Sequence, residues 1–125
     1  MIKRNLLVLI STLSASVALS GCNSTSPDST SLVYISDGYV QCEQPPAPLV
    51  DTAALLQQAN VTVLKSDCGQ IKDMGVISMC GAGGTGIHLH QINSKDLNQA
   101  NQAGFDSIDK LTEQGLAYEI IECGL

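Results

Sequence analysis

Aromatic residues are scarce in this sequence. It has no tryptophan, one phenylalanine and three tyrosines, so aromatic residues make up 3 % of the chain. Stacking on sugars requires aromatic ring surface, and the only candidates are Tyr34, Tyr39, Phe105 and Tyr118. If the protein binds a partner, the composition favours a protein over a glycan.

Basic residues are also scarce. Six Lys and Arg residues stand against twelve Asp and Glu residues, and from residue 22 onward four lysines face all twelve acids, a formal charge of −8. Binding to phosphate backbones or to anionic headgroups depends on clustered Lys or Arg. The charge balance therefore excludes nucleic acid as a partner.

Sequence motifs of common enzyme classes are absent. There is no Gly-x-Ser-x-Gly segment and no His-Glu-x-x-His segment, which mark serine hydrolases and zinc proteases. The glycine-rich run 81–86 lacks the lysine of a P-loop and the spacing of a dinucleotide fingerprint. We therefore predict a non-catalytic protein without a cofactor.

The N-terminal segment has the layout of an export signal. Lys3 and Arg4 precede an apolar stretch over 6–19, which ends in small residues. A membrane-spanning helix needs about 20 mostly apolar residues, whereas serines and a threonine interrupt this stretch. The pattern predicts a signal peptide over 1–21 that is removed on export.

The segment Leu19-Ser20-Gly21-Cys22 resembles the lipobox of bacterial lipoproteins at all four positions. The resemblance implies that Cys22 receives a diacylglyceryl group and becomes the acylated N-terminus, with fatty acids such as palmitate. Two or more acyl chains give stable membrane anchoring. In Gram-negative lipoproteins Asp after this cysteine retains the protein in the inner membrane. Asn23 therefore points to the outer membrane with the domain facing the periplasm, and surface display remains an alternative.

The rest of the chain is long enough for one domain. Residues 22–32 are rich in Ser, Thr, Pro and Asp, and such a segment buries too little apolar surface to fold. We predict a flexible tether over 22–32 and a single α+β domain over 33–125.

The predicted elements alternate between strands and helices. A strand with an Asp37-Gly38 turn signal covers 32–42, and a helix over 49–60 has an apolar face formed by Leu49, Ala53, Leu56 and Ala59. A second strand begins at residue 61, and the segments 76–79 and 87–92 form either one bulged strand or two. A second helix is capped by Ser94 and ends at Gly104. Residues 116–122 form the last strand. A short helical turn fits around Leu111. The order predicts a ferredoxin-like βαββαβ two-layer sandwich with an antiparallel sheet.

Four cysteines remain after Cys22, and an even number in an exported domain predicts two disulfides. Three pairings are open. We favour Cys68 with Cys80 across a hairpin, which leaves Cys42 with Cys123. The ideal ferredoxin-like strand order, however, places Cys123 at the opposite end of the sheet from the other three, beyond the reach of a disulfide. A strand boundary or the topology must therefore differ from the ideal.

His88 and His90 alternate with Ile87 and Leu89, so both imidazoles project from one face of a strand. Two such rings could ligate copper or zinc. A structural zinc site needs four donors, and the cysteines are better used in disulfides. We therefore predict two exposed histidines on a solvated sheet face and no metal.

Two classes of function follow from these features. The first is an anchored, non-catalytic interaction module of the envelope, which binds membrane lipid through acylated Cys22 and an envelope protein through its folded domain. Its element order resembles that of SPOR modules, which bind peptidoglycan, so a cell-wall-binding module is an alternative. The second class is a periplasmic copper- or zinc-binding lipoprotein that uses His88 and His90.

Overall fold

The computed structural model of the protein describes residues 29–124. The predicted signal peptide, Cys22 and most of the predicted tether lie outside these residues. Within residues 29–124, no helix has both the length and the apolar character needed to cross a membrane.

Residues 29–124 form five strands and three α-helices. The elements are β1 Thr30–Ser36, α1 Leu49–Gln58, β2 Val63–Lys72, β3 Gly86–Asn93, a 3-10 turn Ser94–Asp96 that leads into α2 Leu97–Gln102, β4 Asp106–Ser107, α3 Asp109–Glu113 and β5 Ala117–Ile121. The short helix predicted around Leu111 is confirmed as α3.

The strands form one sheet in the order β4-β1-β3-β2-β5, and every neighbouring pair is antiparallel. The sheet is strongly curled. The predicted α+β class with an antiparallel sheet is therefore confirmed. The expected place of the last strand is wrong: β5 pairs with β2 at one edge, and the two-residue β4 lies beside β1 at the other.

Some strand boundaries also differ from prediction. Residues 76–79 are not a strand. Residues 39–42 are not one either: a turn covers 41–43, and Val40 makes isolated bridges to Gln44 and Gly83. β1 ends early because the backbone turns at Gly38, whose φ is +78°, and the Asp37 carboxylate accepts the Tyr39 N–H at 2.9 Å. At its other end β1 begins at Thr30, so three residues of the predicted tether belong to the sheet.

The predicted ends of both helices are confirmed. Asn60 has a φ of +61° and Gly104 a φ of +99°, the left-handed conformation that closes a helix. After each of them the chain returns a hydrogen bond to the last turn, from Val61 N–H to the Leu56 carbonyl and from Phe105 N–H to the Ala100 carbonyl. Ser94 is not an N-cap: it opens the 3-10 turn, and its Oγ lies 2.8 Å from Ser31 Oγ.

Apolar side chains are buried on both faces of the sheet. One cluster lies between the sheet and helices α1 and α2 and consists of Val33, Leu56, Val61, Ile92, Ala100 and Phe105. Alternation along β3 sends Ile87 and Leu89 to the opposite face, where they pack with Ile71 and with Leu111 of α3. The predicted arrangement, with helices on one face only, is therefore incomplete.

Two disulfides are present, as predicted, but the favoured pairing is wrong. The structure joins Cys42 to Cys80 and Cys68 to Cys123, with Cα atoms 5.0 and 5.2 Å apart. The reason is the position of β5: Cys68 lies opposite Ile121 in the β2–β5 ladder, which brings Cys123 to the same end. The ideal strand order could not bring Cys123 within reach of another cysteine because the observed topology places β5 elsewhere.

Candidate functional site

The face of the sheet beneath α1 carries the polar residues of the candidate site. Strand register aligns Ile35, His88, Cys68 and Ile121 on four neighbouring strands. In the next such row, His90 lies between Val33 and Ser66.

Both histidines lie on one strand face, as predicted, but they are not exposed. His88 is 3 % exposed and His90 is 0 % exposed. The predicted solvated face is covered because α1 packs across it and because the Phe105 ring meets the His90 ring edge-on, with centroids 5.8 Å apart and planes at 72°. Buried imidazoles need hydrogen-bond partners.

Thr52 of α1 supplies a partner for both rings. Its Oγ1 lies 2.9 Å from His88 Nδ1 and 2.8 Å from His90 Nε2, and it donates to the Leu49 carbonyl at 3.1 Å. Ser66 Oγ lies 2.7 Å from the remaining His90 nitrogen, Nδ1. The four side chains form a continuous chain in the order His88, Thr52, His90, Ser66.

One proton arrangement satisfies all these contacts. A threonine hydroxyl has one proton and two lone pairs. If that proton goes to the Leu49 carbonyl, both imidazoles must donate to Thr52, His88 from Nδ1 and His90 from Nε2. His90 Nδ1 then accepts from Ser66, and His88 keeps an unprotonated Nε2.

The surroundings keep both rings neutral. Burial, together with the neighbouring His88, lowers the pKa of His90 to about 4. Burial also lowers the pKa of His88, although the Asp37 and Asp51 carboxylates oppose this change. Both histidines are therefore uncharged hydrogen-bonding groups at neutral pH.

A cavity of about 530 Å³ opens beside His88. Its walls include the proline-rich segment 45–48, the Cys68–Cys123 disulfide, Ile121 and the acidic residues Asp37 and Glu122. His88 Nε2 has no hydrogen-bond partner among the described residues. Every fully buried side-chain nitrogen or oxygen in that part of the chain has one, so His88 Nε2 is not fully buried. Because His88 lines this cavity, its free Nε2 is accessible from the cavity.

The two histidines do not offer a shared metal site in this arrangement. Both His90 nitrogens are engaged, and the Thr52 hydroxyl lies between the two rings. Residues 29–124 contain no group of three or more His, Cys, Asp or Glu side chains placed to hold a metal ion.

A second notable surface is the loop between β2 and β3. We call residues 74–79 the apolar loop, because four large apolar side chains there are exposed: Met74, Val76, Ile77 and Met79. The Gln41 side chain holds its backbone, donating from Nε2 to the Ile77 carbonyl at 2.8 Å and accepting the Met79 N–H at 3.1 Å. The Cys42–Cys80 disulfide fixes the end of the loop.

Sequence reasoning did not identify Thr52, Ser66 or Asp37 as site residues. Thr52 had a detectable signal: it lies three residues after Leu49 and four before Leu56, so it is a polar residue on the predicted apolar face of the helix. Ser66 and Asp37 had no such signal, because only the strand register and the following turn bring them to the site.

Comparisons with known proteins give no relative for this chain. No family model, no curated protein and no solved structure matches it.

Proposed function

We propose that this protein is a lipid-anchored, non-catalytic binding module of the bacterial envelope that captures another protein through the apolar loop. The observation that carries the proposal is the exposure of Met74, Val76, Ile77 and Met79 on one short segment. Contiguous exposed apolar patches on soluble domains commonly mark interaction sites.

The backbone of the apolar loop is held in place, which favours the binding of a partner. Gln41 and the Cys42–Cys80 bridge hold the backbone, so less conformational freedom is lost when a partner binds. The methionine side chains remain adaptable and can fit an irregular apolar surface. A fixed backbone with flexible apolar tips suits a protein surface better than a sugar.

Charge narrows the kind of partner. Asp73 borders the apolar loop, and Glu43 lies near Gly81 at its far end. We therefore propose a folded envelope protein that presents an apolar recess with a basic rim. An anionic membrane surface would be repelled by the same acids.

The anchoring part of the proposal rests on the lipobox resemblance. Acylated Cys22 would hold the domain at the outer membrane, facing the periplasm, with Asn23 in the position that favours this destination. Residues 23–29 would then link the lipid to β1, which keeps the domain within a few tens of ångströms of the membrane surface.

We further propose a ferredoxin-like unit as the origin of the fold. The strand order β4-β1-β3-β2 supports this, since it is the order of a βαββαβ sandwich, and α3 and β5 would be an extension. The cell-wall-binding alternative draws on the same element order, but the scarcity of aromatic residues does not favour it.

The apolar loop can be tested with two matched double variants. Ile77→Ser/Met79→Ser should abolish co-purification of one defined envelope protein from detergent-solubilised membranes. Val50→Ser/Leu55→Ser should retain it, because Val50 is as exposed as Ile77, at 71 %, but lies on α1. Equal retention by both variants would contradict the proposal.

The anchor can be tested separately by intact-mass analysis. Protein purified from its own membrane should begin at Cys22 and carry a diacylglyceryl group and an amide-linked acyl chain. A Cys22→Ser variant should lack both additions and leave the membrane fraction. An unmodified Cys22 in the membrane-purified protein would contradict lipidation.

A further inference from the structure

The polar side chains that line the cavity beside His88 share one hydrogen-bonding property. His88 contributes the unprotonated Nε2 described above, and Asp37 and Glu122 contribute carboxylates. All three are hydrogen-bond acceptors, and no lysine or arginine among residues 29–124 lines the cavity. A ligand that satisfies these groups must bring hydrogen-bond donors.

The remaining walls are mostly apolar. The segment 45–49, Ile121 and the Cys68–Cys123 disulfide supply them. The volume of about 530 Å³ falls in the range of small-molecule sites, about 300–1,000 Å³. The cavity therefore suits a small molecule with an apolar body and one polar end.

The net charge around the cavity determines whether a neutral or a cationic ligand suits it better. The N-terminus of α1 meets the cavity at Leu49 and contributes roughly half a positive charge. Asp37 and Glu122 contribute two full negative charges. The negative charge dominates, since none of the described residues on the cavity wall is basic.

From this juxtaposition of the free His88 nitrogen, two carboxylates and apolar walls, we propose that the cavity binds a small organic amine in its protonated form. The ammonium group donates to His88 Nε2, and the negative charges of Asp37 and Glu122 on the cavity wall favour its protonated form. The hydrocarbon part lies against the proline segment and Ile121. This site is separate from the apolar loop and does not depend on a protein partner there.

The experiment titrates the disulfide-intact protein with three probes of similar shape, namely hexylamine, hexanol and hexanoate. Binding is followed by NMR, using the ring nitrogen signals of His88 and His90. Hexylamine should bind saturably and move the His88 Nε2 signal more than any His90 signal. Hexanol should bind about ten-fold more weakly, and hexanoate should not bind.

Conservative variants test the role of the carboxylates. Glu122→Gln and Asp37→Asn should each weaken hexylamine binding several-fold, and neither change should disturb the fold, because Glu122 is exposed and Asn keeps the side-chain oxygen that accepts the Tyr39 N–H. Glu119→Gln is the matched control, since Glu119 lies on β5 but does not line the cavity. It should bind hexylamine like the unaltered protein.

Three results would overturn the proposal. The first is equal affinity for hexylamine and hexanol, which would reduce the cavity to a simple apolar recess. The second is an equal effect of Glu119→Gln and Glu122→Gln, which would show a general charge effect. The third is the absence of any change at His88 on addition of hexylamine.

Discussion

At the scale of single residues, Thr52 holds the candidate site together. Its hydroxyl is the one acceptor shared by His88 Nδ1 and His90 Nε2, and all three residues are buried. A buried imidazole N–H without a partner costs about 1–3 kcal/mol. Few other side chains of this size could serve two rings at once.

Thr52→Val keeps the shape of the side chain and removes the acceptor. We expect the free energy of unfolding to fall by about 2–4 kcal/mol, because two buried N–H groups lose their partner. Urea denaturation at pH 7 measures the change. Thr62→Val is the control, since Thr62 is exposed; a similar loss in both variants would contradict the assignment.

The lowered pKa of His90 predicts a loss of stability in acid. In the unfolded chain His90 has a pKa near 6.5, and in the folded protein its pKa is about 4. The unfolded state therefore takes up the proton first as the pH falls, so the stabilising contribution is complete above pH 6.5 and declines towards pH 4. The difference corresponds to about 3 kcal/mol.

Chemical denaturation between pH 6.5 and pH 5 measures this slope, since most carboxylates stay ionised in that range. A His90→Gln variant should show a flatter pH dependence than the unaltered protein, even if it is less stable throughout. An unchanged slope in this variant would assign the acid sensitivity to other groups.

At the scale of elements, β2 packs closely against its neighbours at Gly69, because glycine has no side chain. A Cβ on Gly69 would lie 2.7 Å from Leu89 Cδ1 and 3.1 Å from the Glu119 carbonyl oxygen. Glycine at this position therefore lets the second core cluster close against the β2–β5 pair.

Gly69→Ala should accordingly destabilise the protein by about 1–3 kcal/mol, the usual cost of overpacking. Gly75→Ala is the matched control, because a Cβ there meets no atom within 4 Å and the residue has no positive φ. Thermal unfolding compares the two variants. Equal melting temperatures would mean that the sheet adjusts around the added methyl group.

We expect the edge strand β5 to depend on the Cys68–Cys123 bridge. β5 pairs with β2 alone within the sheet, and disulfides typically contribute about 2–4 kcal/mol. A Cys68→Ser/Cys123→Ser variant should show faster amide exchange in residues 117–121, while exchange in β1 and β3 changes little. Uniformly faster exchange across the sheet would show that the bridge supports the whole domain.

At the scale of the whole molecule, both nitrogens of His90 are engaged within the fold, and the cavity and the apolar loop are the surfaces that we propose for binding. The metal-binding alternative can be tested on the intact protein. Zn²⁺ or Cu²⁺ should not raise the melting temperature, because His90 has no free nitrogen. A metal-dependent rise that disappears in His88→Ala/His90→Ala would revive that alternative.

Local pattern predicted much of the fold. Helix α1, its end at Asn60, the end of α2 at Gly104, the short helix at Leu111 and strand β5 all match signals that lie within a few neighbouring residues. The strand predicted over 76–79 was wrong, because the β-branched residues of this segment are typical of a strand. In the structure its backbone is held by Gln41 instead of a neighbouring strand.

The sequence by itself determined the α+β class, the presence of two disulfides and the common face of His88 and His90, because each depends on local periodicity or on a count of residues. Only the tertiary structure decided which cysteines pair, that both histidines are buried, and that His88 faces a cavity. The physical reason is that these features depend on contacts between strands and helices far apart in the chain. The placement of β5 beside β2 fixed the cysteine pairing, and the packing of α1 over β3 turned a predicted surface into a polar core.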